Sequence, residues 1–146
     1  MEKANILCET FCGTHDFISF RGSFRGNERG KQQNTVCTLE SIDISKISSD
    51  RNTLPSCETY CISFTGDRFL YKMVRFLVGA IVDYGAGRKG ITVDLISKYL
   101  CEPANAGGNS HATSDKITTC APSAGLVLHK VEYPTDCNFK WVRDRL

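Results

Sequence analysis

Gly66-Asp67-Arg68-Phe69-Leu70-Tyr71-Lys72-Met73-Val74-Arg75-Phe76-Leu77-Val78-Gly79-Ala80-Ile81-Val82-Asp83-Tyr84-Gly85 is the most strongly patterned stretch of this chain. On a helical wheel at about 100° per residue, Leu70, Met73, Leu77, Ile81 and Tyr84 form one stripe, and Val74, Val78 and Ala80 widen it on both sides. A helix apolar over so much of its circumference is buried. The pattern predicts a core helix over 69–84 that leaves at Gly85 and Gly87. Its narrow polar face holds Lys72, Arg75, Gly79 and Asp83. A glycine in a helix interior costs about 1 kcal/mol. Gly79, one turn after Arg75, therefore predicts a gap where the guanidinium lies flat or a partner approaches. By spacing alone, Arg75 reads as a surface arginine paired with Asp83.

Towards the N-terminus, Ala4, Ile6, Leu7 and Phe11 suit a short helix over 2–12 that stops at Gly13. Val36, Leu39, Ile42 and Ile44 read as one strand. Tyr60, Ile62 and Phe64, alternating with Cys61 and Ser63, read as a second. A long, turn-rich connection over 48–56 makes these an antiparallel pair, and Thr65-Gly66-Asp67 is a turn into the core helix. A further helix is expected over 92–100, with Thr92 as its cap. Residues 103–119 form a Gly/Ser/Asn/Thr-rich loop without period. Leu126, Leu128 and Val131 then mark a strand ending before Pro134. The sum is an α+β chain, an antiparallel-leaning sheet with helices packed on one face. It reads as one domain over 1–134 and an unpatterned tail over 135–146.

The bulk numbers fit this size of domain. With 146 residues, 41% hydrophobic and 23% charged, the chain can bury one core. A net charge of +2 permits nucleic-acid binding without arguing for it. The local distribution says more: Phe20-Arg21-Gly22, Phe24-Arg25-Gly26 and Glu28-Arg29-Gly30 run into Lys31. Such a basic, glycine-spaced stretch is a solvated loop, or an RNA contact that grips the backbone and stacks on bases. The eight cysteines include no C-x-x-C pair, and His15, His111 and His129 are scattered. The Cys8/Cys12 and Cys57/Cys61 spacing leaves a zinc-protein reading open, testable by bound zinc. Free thiols are the expectation, and they point to a reducing intracellular compartment. No apolar run approaches a membrane span.

Three segments in order carry a resemblance. Gly13-Thr14-His15-Asp16-Phe17 with Ser19-Phe20-Arg21 resembles the HDF-x-SF stretch of TruA-type tRNA pseudouridine synthases. The core helix, from Phe69-Leu70 through Met73-Val74-Arg75 to Val78-Gly79, is similar to that family's FL-x-x-MVR-x-x-VG helix. Ala121-Pro122, Gly125-Leu126 and Leu128, then Val131, Tyr133 and Pro134, resemble its closing strand.

This resemblance implies a fold and an activity. The family isomerises uridine to pseudouridine in the tRNA anticodon stem-loop, without metal or cofactor, after flipping the base out of its stack. An aspartate in an N-terminal half performs the reaction. No Arg-Thr-Asp segment occurs here, so the chain is expected to be the C-terminal half, inactive alone. Arg75 matches the arginine that pairs with that aspartate, where a guanidinium keeps a carboxylate ionised and oriented. Leu126 matches a leucine that walls the flipped base. Lys72, Arg68, Arg21 and Arg25 are candidate phosphate contacts, which position RNA without reading it. His15 and Asp16 are expected to fix the loop after the first helix. The implied partners are tRNA, the N-terminal half and, at full length, a second copy in a homodimer. Three departures from the resemblance stand out: Cys37 replaces a usual arginine before threonine, the loops at 22–33 and 103–119 are respectively rewritten and lengthened, and Lys72 replaces a usual histidine or glutamine. A non-catalytic RNA-binding or interaction module derived from this family is the rival reading.

Overall fold

The apolar residues of 36–44 and 60–64 join one antiparallel ladder, built by β2 (Val36–Ile47) and β3 (Thr59–Gly66). A short strand, β1 (Gly13–Asp16), pairs with the other side of β2, giving the sheet order β1-β2-β3. Around it lie α1 (Glu2–Phe11), a 3-10 turn over Ile18–Phe20, α2 (Met73–Gly85) and α3 (Val93–Cys101). The computed structural model describes residues 2–23, 34–47, 58–88, 90–101 and 118–133. The α+β reading holds.

A bulge explains the irregular spacing of apolar residues in β2. Leu39 opposes Gly66 and Ser41 opposes Thr65, which leaves Glu40 as an extra residue. Because strand side chains alternate, one inserted residue moves the apolar set from odd to even positions. Cys37 and Leu39 before the bulge, and Ile42 after it, are therefore all buried, while Val36 lies exposed. Val36 belongs to the strand as expected, on its outward face. At the other end, a Cβ on Gly66 would sit 2.6 Å from the Thr38 carbonyl oxygen, so only glycine allows β3 this close to β2. Asp67 fastens the contact: its N–H donates to Thr38 O (3.1 Å), and its Oδ1 accepts from Thr38 N (2.9 Å).

The core gathers one face of the sheet and the apolar stripes of all the helices. Leu7 and Phe11 of α1, Phe17, Phe20, Leu39, Met73 and Leu77 of α2, and Ile96 of α3 belong to one buried cluster. Phe20 stands edge-on to Phe11 (5.2 Å between centroids) and to Phe17 (6.4 Å), the geometry ring quadrupoles favour. Thr92 caps α3 as expected, its Oγ1 accepting from Leu95 N at 3.1 Å. Gly13 ends α1 with φ +109°. His15 and Asp16 do structural work nearby. A 3.0 Å hydrogen bond links His15 Nε2 to Cys12 O, and Asp16 Oδ1 accepts from Ile18 N (3.0 Å) and Thr35 Oγ1 (2.6 Å).

Two expected elements change. The core helix begins at Met73 rather than near Phe69, because Lys72 takes a left-handed conformation (φ 61°). The Tyr71 carbonyl, which in a continuous helix would point along the axis toward Arg75 N, accepts from Gly22 N at 2.7 Å. Residues 69–72 become a turn. The second change lies at 126–131, where no strand forms among the described residues and Leu126, Leu128 and Val131 are exposed. A strand exists only where a neighbouring backbone takes up its N–H and C=O groups. Here none does.

Leu77 is fully buried at the centre of the α2 stripe. Leu77→Ala is expected to lower the unfolding free energy of the chain by roughly 2–5 kcal/mol, read from urea denaturation followed by circular dichroism.

Candidate functional site

Arg75, Gly79 and Asp83 lie one turn apart on α2, and the chain returns to that row at residues 118–121. Ala121 N donates to Arg75 O (3.0 Å), and Arg75 Nε donates back to Ala121 O (2.6 Å). Thr118 Oγ1 donates to Phe76 O (3.1 Å), and Thr119 N donates to Asp83 Oδ2 (3.3 Å). Between these bonds the strap presses on the helix: a Cβ on Gly79 would lie 1.6 Å from Thr119 O. The gap predicted at Gly79 is therefore filled by backbone, not by the arginine. Asp83 is buried and pairs with Arg88, Oδ1 to Nη1 at 2.7 Å. The Arg75–Asp83 pair expected from spacing does not form. Arg75 is half-buried, with its Nε held by the strap and its Nη1 and Nη2 without a hydrogen-bond partner among the described residues.

The other candidates sit at different distances from this arginine. Lys72 occupies the N-terminal cap of α2, its Nζ 5.4 Å from the centroid of the Tyr71 ring. Left-handed backbone at a non-glycine residue costs about 1–2 kcal/mol, and such strain gathers at functional sites. The loop after β1 packs against this point, since a Cβ on Gly22 would meet Tyr71 Cδ1 at 2.7 Å and Lys72 Cδ at 3.1 Å. Arg21 comes with that loop but is buried, one of its bonds running from Nη1 to Gly22 O (3.2 Å). Arg68 is exposed, and its Nη2 donates to Asn34 O (2.9 Å) and to Val36 O. Leu126 is 54% exposed on a segment open to solvent from Pro122 to Tyr133. Arg25 lies outside the described residues.

Sequence reading missed Gly22 and the Thr118–Ala121 strap. Gly22 was legible as one of the Arg-Gly steps, but its role is a close approach to Tyr71 that no local pattern announces. The Thr118-Thr119 pair sits at the end of a loop without period, and only its contacts reveal it.

No group of three or more His, Cys, Asp or Glu residues is placed to hold a metal ion among the described residues. Cys57, Cys137 and His111 fall outside them. Cys8 and Cys37 are buried, and loss of hydration pushes both thiols up from the ordinary value of 9.0. At Cys8 the neighbouring Cys12 and Asp43 add to the rise; at Cys37 the Arg68 guanidinium opposes it.

The family model of tRNA pseudouridine synthase matches residues 7–134. This chain belongs to the tRNA pseudouridine synthase family, and its match falls in the C-terminal part of the TruA-type proteins. It is 36% identical over 131 residues to tRNA pseudouridine synthase A of Listeria innocua, covering 90% of this chain and 44% of that protein. The protein of the same name in Akkermansia muciniphila is 33% identical over 131 residues, with 86% of this chain and 41% of the relative covered. The one in Clostridium kluyveri is 28% identical over 133 residues. The chain thus spans less than half the length of the curated relatives it matches. No helix among the described residues is long and apolar enough to cross a membrane.

Gly79→Ala removes a helix-propensity penalty of about 1 kcal/mol yet sets a methyl against backbone. The expected net effect is a loss of roughly 1–3 kcal/mol of stability, as for other overpacked sites; a rise in thermal midpoint would show that the strap yields freely. The thiols give a second expectation. Their folded pKa values lie above the unfolded ones, so their contribution is complete below pH 9.0 and falls as pH rises past it. Unfolding midpoints in urea should drop between pH 8 and 10 more steeply in the unaltered chain than in Cys8→Ala/Cys37→Ala.

Proposed function

We propose that this chain is the C-terminal domain of a tRNA pseudouridine synthase that isomerises uridine to pseudouridine in the tRNA anticodon stem-loop. The observation that carries the reading is the state of Arg75: Nε is anchored by Ala121 O, and Nη1 and Nη2 have no hydrogen-bond partner among the described residues. A guanidinium fixed at one edge offers its other edge to a carboxylate, and paired N–H groups match the two carboxylate oxygens. The carboxylate is assigned to the aspartate of an N-terminal half, which this chain does not contain. Arg75 keeps it ionised and oriented toward the flipped nucleotide.

The reaction breaks the N1–C1′ bond of uridine and makes a C5–C1′ bond. C5 loses its proton and N1 gains one, so atoms balance without an oxidant or a cofactor. Leu126 supplies an apolar wall for the base, supported by its exposure next to the strap. Arg68 and Lys72 are the phosphate contacts favoured by their positions. The buried Arg21 serves better to hold the Gly22 loop against Tyr71, and Arg25 keeps the phosphate role assigned from sequence. The full-length protein works on tRNA inside the cell, as a homodimer whose clefts each use both halves, and this chain alone does not turn over.

Complementation tests the reading. This chain is mixed with a separately expressed N-terminal half of its own gene, and tritium release from tRNA labelled at uracil C5 is followed. Activity is expected only in the mixture, and Arg75→Ala should reduce it on the order of hundredfold or more, as loss of one charged contact in an active site does. Folded, associating halves without activity would overturn the enzyme reading in favour of an RNA-binding module.

A further inference from the structure

The polar row of α2 does not end at Arg75. Asp83, more than two turns along the helix, is 6% exposed and holds two groups at once. Its Oδ2 accepts from Thr119 N (3.3 Å), and its Oδ1 pairs with Arg88 Nη1 (2.7 Å). The local sequence puts Arg88 within reach. Gly87, at φ +68°, ends α2 with its N–H on Tyr84 O (3.0 Å), while Arg88 N donates to Asp83 O (2.9 Å). These two bonds form a Schellman cap, which folds the residue after the glycine back over the last helical turn. A charge-neutralised carboxylate is thereby fixed beneath the strap, facing the Thr119 amide.

The strap is short and stiffly seated. Thr119 is pinned by Asp83 and pressed on Gly79, and two residues further Ala121 O receives Arg75 Nε. Movement at Thr119 passes through one residue to the carbonyl that sets the guanidinium. We infer that Asp83, supported by Arg88, is a positioning residue that fixes the side chain of Arg75 through the 118–121 strap. The inference rests on the proposed role of Arg75. It assigns Asp83 no contact with substrate.

The test has a structural arm and a kinetic arm. In the 146-residue chain, NMR follows solvent exchange of the Arg75 Nε proton and the Thr119 amide proton. Asp83→Ala, and the isosteric Asp83→Asn should alanine not fold, are expected to speed exchange at both. Unchanged protection in a folded variant overturns the inference. In the complemented enzyme, the same variants should lower kcat about tenfold to a hundredfold, the loss typical of a mispositioned catalytic group, with KM for tRNA unchanged. In an Arg75→Ala background, Asp83→Ala should have no further effect on kcat, whereas a merely structural residue would add its own loss. Additive losses, or a KM effect without a kcat effect, overturn the inference while leaving the role of Arg75 intact. Full activity in Arg75→Ala alone overturns the underlying reading, and the positioning role with it.

Discussion

The absence of a side chain at Gly79 is the constraint on which the polar face of α2 depends. With a Cβ there, Thr119 O would lie at a distance no pair of atoms tolerates. Without one, a stretch of backbone rests directly on the helix. Its polar groups find partners in sequence: Phe76 O, the Asp83 carboxylate, and both the carbonyl and the Nε of Arg75. A buried backbone needs such partners, since an unpaired N–H or C=O costs about 1–3 kcal/mol. The glycine lowers helix propensity and in return lets a loop serve as a second layer over the core helix.

At the other end of α2 a similar exchange takes place. Lys72 adopts a left-handed conformation and the helix starts late, which frees the Tyr71 carbonyl for Gly22. Gly22 can come this close only because it too lacks a Cβ. Two glycines far apart in sequence thus bring the loop after β1 and the strap after α3 onto the same helix. Arg75 lies between the two contacts. The proposed chemistry needs a guanidinium held at one edge and open at the other, and these contacts supply the holding.

Cys37 shows how the start of β2 is closed. The thiol is buried at the start of β2, with Arg68 close enough to draw its pKa downward against the effect of burial. Arg68 donates to the carbonyls of Asn34 and Val36, so it closes the strand end from outside while a small apolar residue fills the inside. The open segment from Pro122 to Tyr133 carries Leu126, Val127, Leu128, Val131 and Tyr133 into solvent. The chain covers less than half the length of the curated relatives it matches.

Periodicity alone determined a good deal of this protein. The α2 stripe, the exits at Gly13 and Gly87, the Thr92 cap and the β2–β3 pairing follow from local rules of burial, capping and alternation, which act within a few residues. Those rules left Arg75 an ordinary surface arginine, and the family came from the resemblance of three segments, around His15, Arg75 and Leu126. Tertiary structure decided what depends on residues distant in sequence. It placed the bulge at Glu40 that turns Val36 outward, delayed the start of α2, and exchanged the expected Arg75–Asp83 pair for Asp83–Arg88 and Arg75–Ala121. Among the described residues it also gave 126–131 no strand, because alternation makes a segment fit for a ladder, but only a neighbouring backbone makes it a strand.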